Sequence, residues 1–323
     1  MMFNRLGIIG CGLIGCSFAM AAKKAGIVER VIGYSKSPTT TENAKAAGIL
    51  DETAPSALHA VSGSDIVLIA VPVGAIPKIF SDIVSLIEPT MLVMDVGSTK
   101  QDVIAAAQKT LHKKIANFVP AHPIAGKDIA GFRAAEANLF EDHKVVLTPL
   151  EVTRQAQLDD AIKVWRALGS KVQMMTPQDH DAAFAAVSHL PHLIAFGYMN
   201  GLISQEKGEH YMSLAGVGFR DFTRIAAGDA TLWRDVFMAN KSEMEYQLVH
   251  FKKAVDCLEA AIKDNDPVAL LDLIRAASAA RAAWSVGERA PIIPMTPPPD
   301  GATEEPAEKA GFWGRIRDAL SSK

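Results

Sequence analysis

The sequence predicts an α/β fold: a doubly wound parallel sheet in the first half, followed by an all-helical domain. Up to about residue 177, short apolar runs alternate with helix-like stretches, at 6–9, 31–33, 66–71, 91–96, 118–121 and 144–147. Runs such as IVLIAV and MLVMDV are apolar throughout rather than alternating, as expected of strands covered on both faces. From Asp179 to about Trp284 the period lengthens, and Phe184, Val187, Ile194, Phe237, Met244, Leu248, Phe251, Leu258, Leu270 and Ile274 recur at helical spacing.

A chain of 323 residues exceeds the usual size of one domain. The expected boundaries are 1–177 for the sheet domain and 178–287 for the helical domain, with 288–323 as a disordered tail. The tail is assigned from its composition, PIIPMTPPPDGATEEPAE, which is too poor in apolar surface to order itself. Its last stretch, GFWGRIRDAL, has helical spacing and reads as a short frayed helix. The Ala- and Leu-rich segment 251–281 suits packing against a second copy of the chain as well as packing within it.

Composition narrows the function classes. Hydrophobic residues make up 49% and charged residues 21%, with 33 Lys and Arg against 36 Asp and Glu, so no basic excess suggests nucleic-acid binding. No secretory signal opens the chain. The longest apolar stretch, 182–204, carries His189, Pro191, His192 and Asn200 and is expected to be a buried helix rather than a membrane span. Three cysteines, Cys11, Cys16 and Cys257, have no paired spacing, which fits free thiols in the cytoplasm.

The chemistry begins at Gly10-Cys11-Gly12-Leu13-Ile14-Gly15, a GxGxxG turn that follows the first predicted strand and opens a helix through Phe18, Ala19 and Ala22. In that setting Gly10 permits the tight turn and Gly12 lets backbone approach a pyrophosphate. Gly15 lets helix pack on strand, and the first-turn amides at Leu13 and Ile14 face the phosphate charge. This is the signature of a dinucleotide-binding, Rossmann-type domain. An acid about 20 residues on would hold the ribose 2'-hydroxyl of NAD. Here the second strand ends in Gly33-Tyr34-Ser35-Lys36, and Glu29 is expected to precede that strand. A hydroxyl and an ammonium suit a 2'-phosphate, so Ser35 and Lys36 favour NADP, with NAD as the alternative. Val71 and Pro72, just past the 66–71 run, belong beside the cofactor.

Four clusters follow: Asp95-Val96-Gly97-Ser98-Thr99-Lys100, Ala121-His122-Pro123-Ile124-Ala125-Gly126, Ser188-His189-Leu190-Pro191-His192, and Gly218 to Ala226 reading GFRDFTRIA. The first two come directly after predicted strands, which places Ser98 and His122 on loops in the crevice near a nicotinamide. His189 and His192 lack a Cys or carboxylate to complete a metal set, and no metal is expected.

Together these motifs resemble the prephenate and arogenate dehydrogenases of tyrosine biosynthesis, over residues 7 to about 240. The resemblance implies a dinucleotide-binding domain followed by a helical dimerisation domain, a homodimer, and oxidative decarboxylation of a cyclohexadienol with hydride transfer to NAD(P). It implies His122 as the catalytic base and Ser98 as the serine touching substrate hydroxyl and cofactor. Arg224 corresponds to the carboxylate-binding arginine and His189 to a second substrate contact. Asp221 is expected to orient Arg224 through an ion pair, Asp128 to lie near the mouth of the site, and Trp233 to wall the pocket or pack in the core. The alternatives are a beta-hydroxyacid dehydrogenase, which would place a Lys in the helical half, and a dinucleotide-sensing protein without the chemistry.

Overall fold

The computed structural model describes residues 2–126 and 131–285; Asp128 and the 288–323 tail lie outside the described residues. Six parallel strands form the main sheet: β1 (Phe3–Ile9), β2 (Val28–Tyr34), β3 (Glu52–Thr53), β4 (Ile66–Ile69), β5 (Leu92–Asp95) and β6 (Phe118–Val119). Their order, β3-β2-β1-β4-β5-β6, reverses direction between β1 and β4. In such sheets ligands sit at that switch point, beyond the carboxyl ends of the strands.

Helices α1 (Leu13–Lys24), α2 (Pro38–Ala46), α3 (Ala57–Val61), α4 (Ile76–Ile83) and α5 (Gln101–Thr110) connect the strands. The sheet is buried on both faces, which explains its uninterrupted apolar runs. Ile8 joins a cluster containing Phe18, Phe140 and Trp165, whereas the adjacent Ile9 joins one containing Phe80 and Phe118. Ring centroids lie 5.2 Å apart in both Phe18–Trp165 and Phe80–Phe118, each edge to face.

The expected strand 118–121 divides at Pro120. Proline has no N–H to give to a ladder, and beyond it β7 (Ala121–Pro123) leaves the main sheet to pair antiparallel with β8 (Lys144–Leu147). Helix α6 (Gln155–Ala167) leads to β9 (Lys171–Met174), parallel to β8. His122 therefore sits on a strand opposite Val146 rather than on a loop. Glu29 lies inside β2, near its start, rather than before it.

Asp95 and Lys100, both fully buried, tie this small sheet to the large one. The Lys100 ammonium donates to Asp95 at 2.5 Å and to the Ala121 carbonyl at 2.8 Å, while Asp95 accepts the amides of Gly97 and Ala121. The clamp holds the turn carrying Ser98 against the strand carrying His122.

The remaining described elements are helical: α7 (Pro177–Phe184), a π-turn Ala185–His189, α8 (Leu190–Ile203), α9 (Gly208–Ser213), α10 (Val217–Thr223), α11 (Ala230–Ala239), α12 (Lys241–Lys263) and α13 (Pro267–Ser285). The π-turn precedes Pro191, which cannot supply the N–H that an unbroken α-helix directs at Val187. The chain divides into two compact units, residues 1–253 and 254–323, and both sheets belong to the first.

The continuous helical stretch Pro177–Ile203 is long and apolar enough, by length and composition, to cross a membrane, yet 17% of its most apolar window is buried. In α8 only Ala195 is fully covered. The expectation of a buried helix is not met, because the described residues leave most of α8 uncovered. Phe237, Phe219 and Phe222 cover only part of it, through Phe196 and Tyr198.

Replacing Lys100 with Met leaves Asp95 charged, buried and unpaired. The Lys100→Met variant is expected to lose about 3–5 kcal/mol of stability in urea unfolding; a loss under about 1 kcal/mol contradicts the clamp.

Candidate active site

The glycine turn sits at the carboxyl end of β1. Gly10 adopts φ +103°, and a Cβ there would lie 2.2 Å from the Ala70 carbonyl oxygen; at Gly15 it would lie 2.0 Å from that of Gly10. A Cβ on Gly12 would meet nothing within 4 Å. Gly12 caps α1 without any side-chain hydrogen bond and no acid stands in the first turn, so the amides at Leu13 and Ile14 face open space. That concavity, lined by unpartnered N–H groups at a helix start, fits the pyrophosphate of a dinucleotide. Val71 and Pro72 follow β4 at the same edge.

At the end of β2 the Ser35 hydroxyl oxygen accepts the Cys11 amide at 2.8 Å, and Lys36 is exposed beside it. Ser35 thus buttresses the glycine turn and keeps its own O–H to donate.

The reactive edge is built around Asp181, which lies one turn into α7 and is buried. Its carboxylate accepts the amides of Lys100 at 2.8 Å and Gln101 at 2.9 Å, which open α5. It also accepts His180 Nδ1–H at 2.8 Å, and His180 Nε2 lies 2.8 Å from His122 Nδ1. The carboxylate can only accept, so each proton along the chain is placed. His180 is protonated on Nδ1, His122 donates its own Nδ1–H to His180 Nε2, and the His122 Nε2 lone pair is left for a ligand. Phe184 packs on both rings, at 4.7 Å from His122 and 4.5 Å from His180.

Electrostatics keep these imidazoles neutral. Burial, followed by the fields of His180, Lys100 and His189, holds His122 well below the usual imidazole range. Burial also lowers His180, against the pull of Asp181. For Asp181 burial acts upward, but the His180 bond and the Gln101 and Lys100 amides win, and the carboxylate stays ionised.

His189 ends the π-turn, 1% exposed, and burial carries its pKa down to about 4. The Ser98 backbone is close enough to favour its protonated form. Ser98, His122 and His189 are thus one electrostatic neighbourhood. Trp233 stacks on His192 at 3.6 Å between centroids and meets His189 edge-on at 6.2 Å, walling this side of the site.

Arg224 is placed differently. It opens a short 3-10 turn after α10 and lines a cavity of about 380 Å³ with Ala215, Gly216, Phe219, Arg220, Thr223 and Ala227. Ser98, His122 and His189 are not among its lining residues. Among the described residues no ion pair joins Asp221 to Arg224: the two sit three positions apart across the switch from α10 into the 3-10 turn, and both are exposed. No group of three or more His, Cys, Asp or Glu is placed to hold a metal ion among the described residues.

His180, Asp181, Asp95, Lys100 and Asn240 escaped sequence reasoning. A histidine flanked by two acids, Asp179 and Asp181, at the opening of the helical half was the available signal for the first two. Lys100 and Asp95 stood inside a recognised motif with nothing to show they were buried. Asn240, between α11 and α12, carried no signal at all.

A glycine turn at the switch point of a 3-2-1-4-5-6 sheet, facing a neutral imidazole poised to accept a proton, defines a nicotinamide-dependent dehydrogenase. Sequence profiles described as prephenate dehydrogenase, nucleotide-binding domain, and prephenate dehydrogenase, dimerization domain, match residues 18–174 and 176–276. The chain is 33% identical to a cyclohexadienyl dehydrogenase of Zymomonas mobilis over 87% of its length and 96% of the relative's. It superposes with TM-score 0.82 and 31% identity on a prephenate dehydrogenase from Aquifex aeolicus solved with hydroxyphenyl propionate and NAD+, covering 88% of this chain and 99% of that one. With an arogenate dehydrogenase from Synechocystis the TM-score is 0.72 at 28% identity, over 87% and 99% of the two chains. The chain belongs to the prephenate dehydrogenase family.

The buried neutral histidines make stability pH-dependent. His189 has an ordinary value of 6.5 when unfolded and about 4 when folded, so between these values the unfolded chain binds a proton that the folded chain refuses. Unfolding free energy from urea titrations is expected to fall as pH drops from 6.5 toward 4; a flat profile over that window contradicts the assignment.

Proposed function

We propose that the protein oxidatively decarboxylates prephenate, arogenate or both, giving 4-hydroxyphenylpyruvate or tyrosine in L-tyrosine biosynthesis. The observation that carries this reading is the Asp181–His180–His122 chain, which presents a neutral Nε2 lone pair beside the turn bearing Ser98.

His122 takes the proton of the ring hydroxyl as hydride leaves the same carbon. A bound nicotinamide supplies the hydride acceptor. As the C1–carboxylate bond breaks and carbon dioxide departs, its electron pair makes the ring aromatic and the oxygen recovers a proton to become a phenol. Ser98 hydrogen-bonds the same hydroxyl and orients it toward His122. His180, neutral and bonded to Asp181, shares the charge that forms on His122. His189 donates to a substrate oxygen. Arg224, with Asp221 on the preceding helix, binds a substrate carboxylate.

The cofactor preferred in this reading is NADP. Because the Ser35 oxygen is engaged by Cys11 N–H, its hydroxyl is a donor toward a ligand, and Lys36 adds a positive charge. Two donors match a 2'-phosphate better than a ribose hydroxyl in want of an acceptor. Residues 1–177 form the cofactor part and 178–287 the helical part of a cytoplasmic homodimer, which is supported by the exposed apolar face of α8 and by the family's dimerization profile.

Purified protein assayed with prephenate and with arogenate, each against NAD and NADP, tests the whole reading; no reduced nicotinamide from any of the four mixtures sinks it. His122→Asn is expected to fold and to lose on the order of 10²- to 10⁴-fold in kcat. The acid limb of kcat/KM should lie below pH ~6.5, because burial lowers the base and activity is lost only when His122 protonates. Lys36→Asp should swing the ratio of efficiencies toward NAD by tenfold or more, since a carboxylate repels the 2'-phosphate and accepts from the ribose (about 1.4 kcal/mol per tenfold); an unchanged ratio refutes the assignment to Lys36.

A further inference from the structure

The two histidines of the site are held in opposite tautomers, and the second is set by a residue with no role in the reaction described above. Asn240 follows α11 directly and is 2% exposed. Its side-chain nitrogen lies 2.8 Å from the backbone carbonyl of Asp181 and 3.2 Å from His189 Nδ1. A backbone carbonyl can only accept, so the atom facing it must be the amide NH2 and not the amide oxygen. The same NH2 therefore donates to His189 Nδ1, and Nδ1 carries no proton. In a neutral imidazole the proton then sits on Nε2. That Nε2 is buried and closes no hydrogen bond of ordinary geometry among the described residues, although the Ser98 backbone lies near the ring. A buried donor left without a partner is costly, and a ligand oxygen would relieve it.

We propose that Asn240 is a positioning residue that locks His189 as a neutral Nε2–H donor to an oxygen of the bound substrate, making it the complement of His122, whose Nε2 is an acceptor. One residue, Asp181, anchors both settings: its carboxylate fixes His180 and through it His122, and its backbone carbonyl fixes the Asn240 amide. The site then discriminates between oxygens. An oxygen that bears a removable proton matches His122, and a carboxylate or carbonyl oxygen matches His189. A substrate bound in the reverse orientation would set donor against donor and acceptor against acceptor.

This inference rests on the substrate binding proposed above, but its first test does not. Long-range proton–nitrogen NMR of full-length, histidine-labelled protein without ligand reads each ring tautomer directly, with the His189 signal identified by its loss in His189→Gln. The expected signature is Nδ1 unprotonated and Nε2 protonated, unchanged from pH 8 to pH 6. Nδ1 protonation, or a mixture of tautomers, overturns the proposal whatever the turnover measurements show. The second test is Asn240→Asp, in which a carboxylate accepts the His189 proton at Nδ1 and turns Nε2 into an acceptor. KM for whichever cyclohexadienyl substrate the wild type oxidises should rise about 10- to 100-fold at pH 8, the worth of one mismatched buried hydrogen bond. kcat should change far less. KM should recover as pH falls, because protonated His189 again carries Nε2–H. A KM that does not move, or that rises equally at every pH, overturns the proposal. Should Asn240→Asp fail to fold, Asn240→Ser is read the same way by NMR: loss of the single tautomer supports the proposal and its retention overturns it.

Discussion

The arrangement depends on one carboxylate, that of Asp181. It is buried with neither Lys nor Arg bonded to it, and an isolated carboxylate in that position would be costly. What holds it is the start of α5, a helix with no side-chain cap of its own, whose amides at Lys100 and Gln101 point at the Asp181 oxygens. The carboxylate caps that helix from across the molecule and gains both the unpaired N–H groups and the favourable end of the helix dipole. The same contact docks α7 on the sheet edge.

Because the anion must be satisfied there, the groups around it are ordered in turn. His180 has to donate to it, His122 has to donate to His180, and the backbone at residue 181 is left with a carbonyl that Asn240 answers. The buried Lys100–Asp95 pair holds the adjoining turn against β7 and adds a positive field beneath His122. The field and the burial keep the imidazole neutral, which proton abstraction requires. A π-turn before Pro191 sets the angle at which His189 enters the same space. Single π-turns of this kind recur at functional positions.

Much of this could be read from residue types and spacing. The strand runs, the glycine turn with its helix and the lengthening of the period after the sheet are local patterns that neighbouring residues enforce. Ser98 and His122 could be expected at one sheet edge because both follow apolar runs, whereas His189 was assigned through the resemblance alone. The boundary at Pro120 was within reach of the same reasoning, since a missing N–H ends a ladder, yet the apolar run carried across it. The Asp221–Arg224 pair looked natural at a spacing of three, yet no ion pair joins the two among the described residues. Apolarity gave the helical stretch 177–203 its helix but could not reveal how little of it one chain would cover.

The sequence by itself determined the strand–turn–helix that receives a dinucleotide, the order of the reactive motifs and the family to which they belong, because each is written in contiguous residues. Only the tertiary structure decided which nitrogen of each histidine carries the proton. That choice is made by hydrogen bonds reaching 58 residues from His122 to His180 and 51 from His189 to Asn240. A tautomer is a property of the partner, and the partner is chosen by the fold.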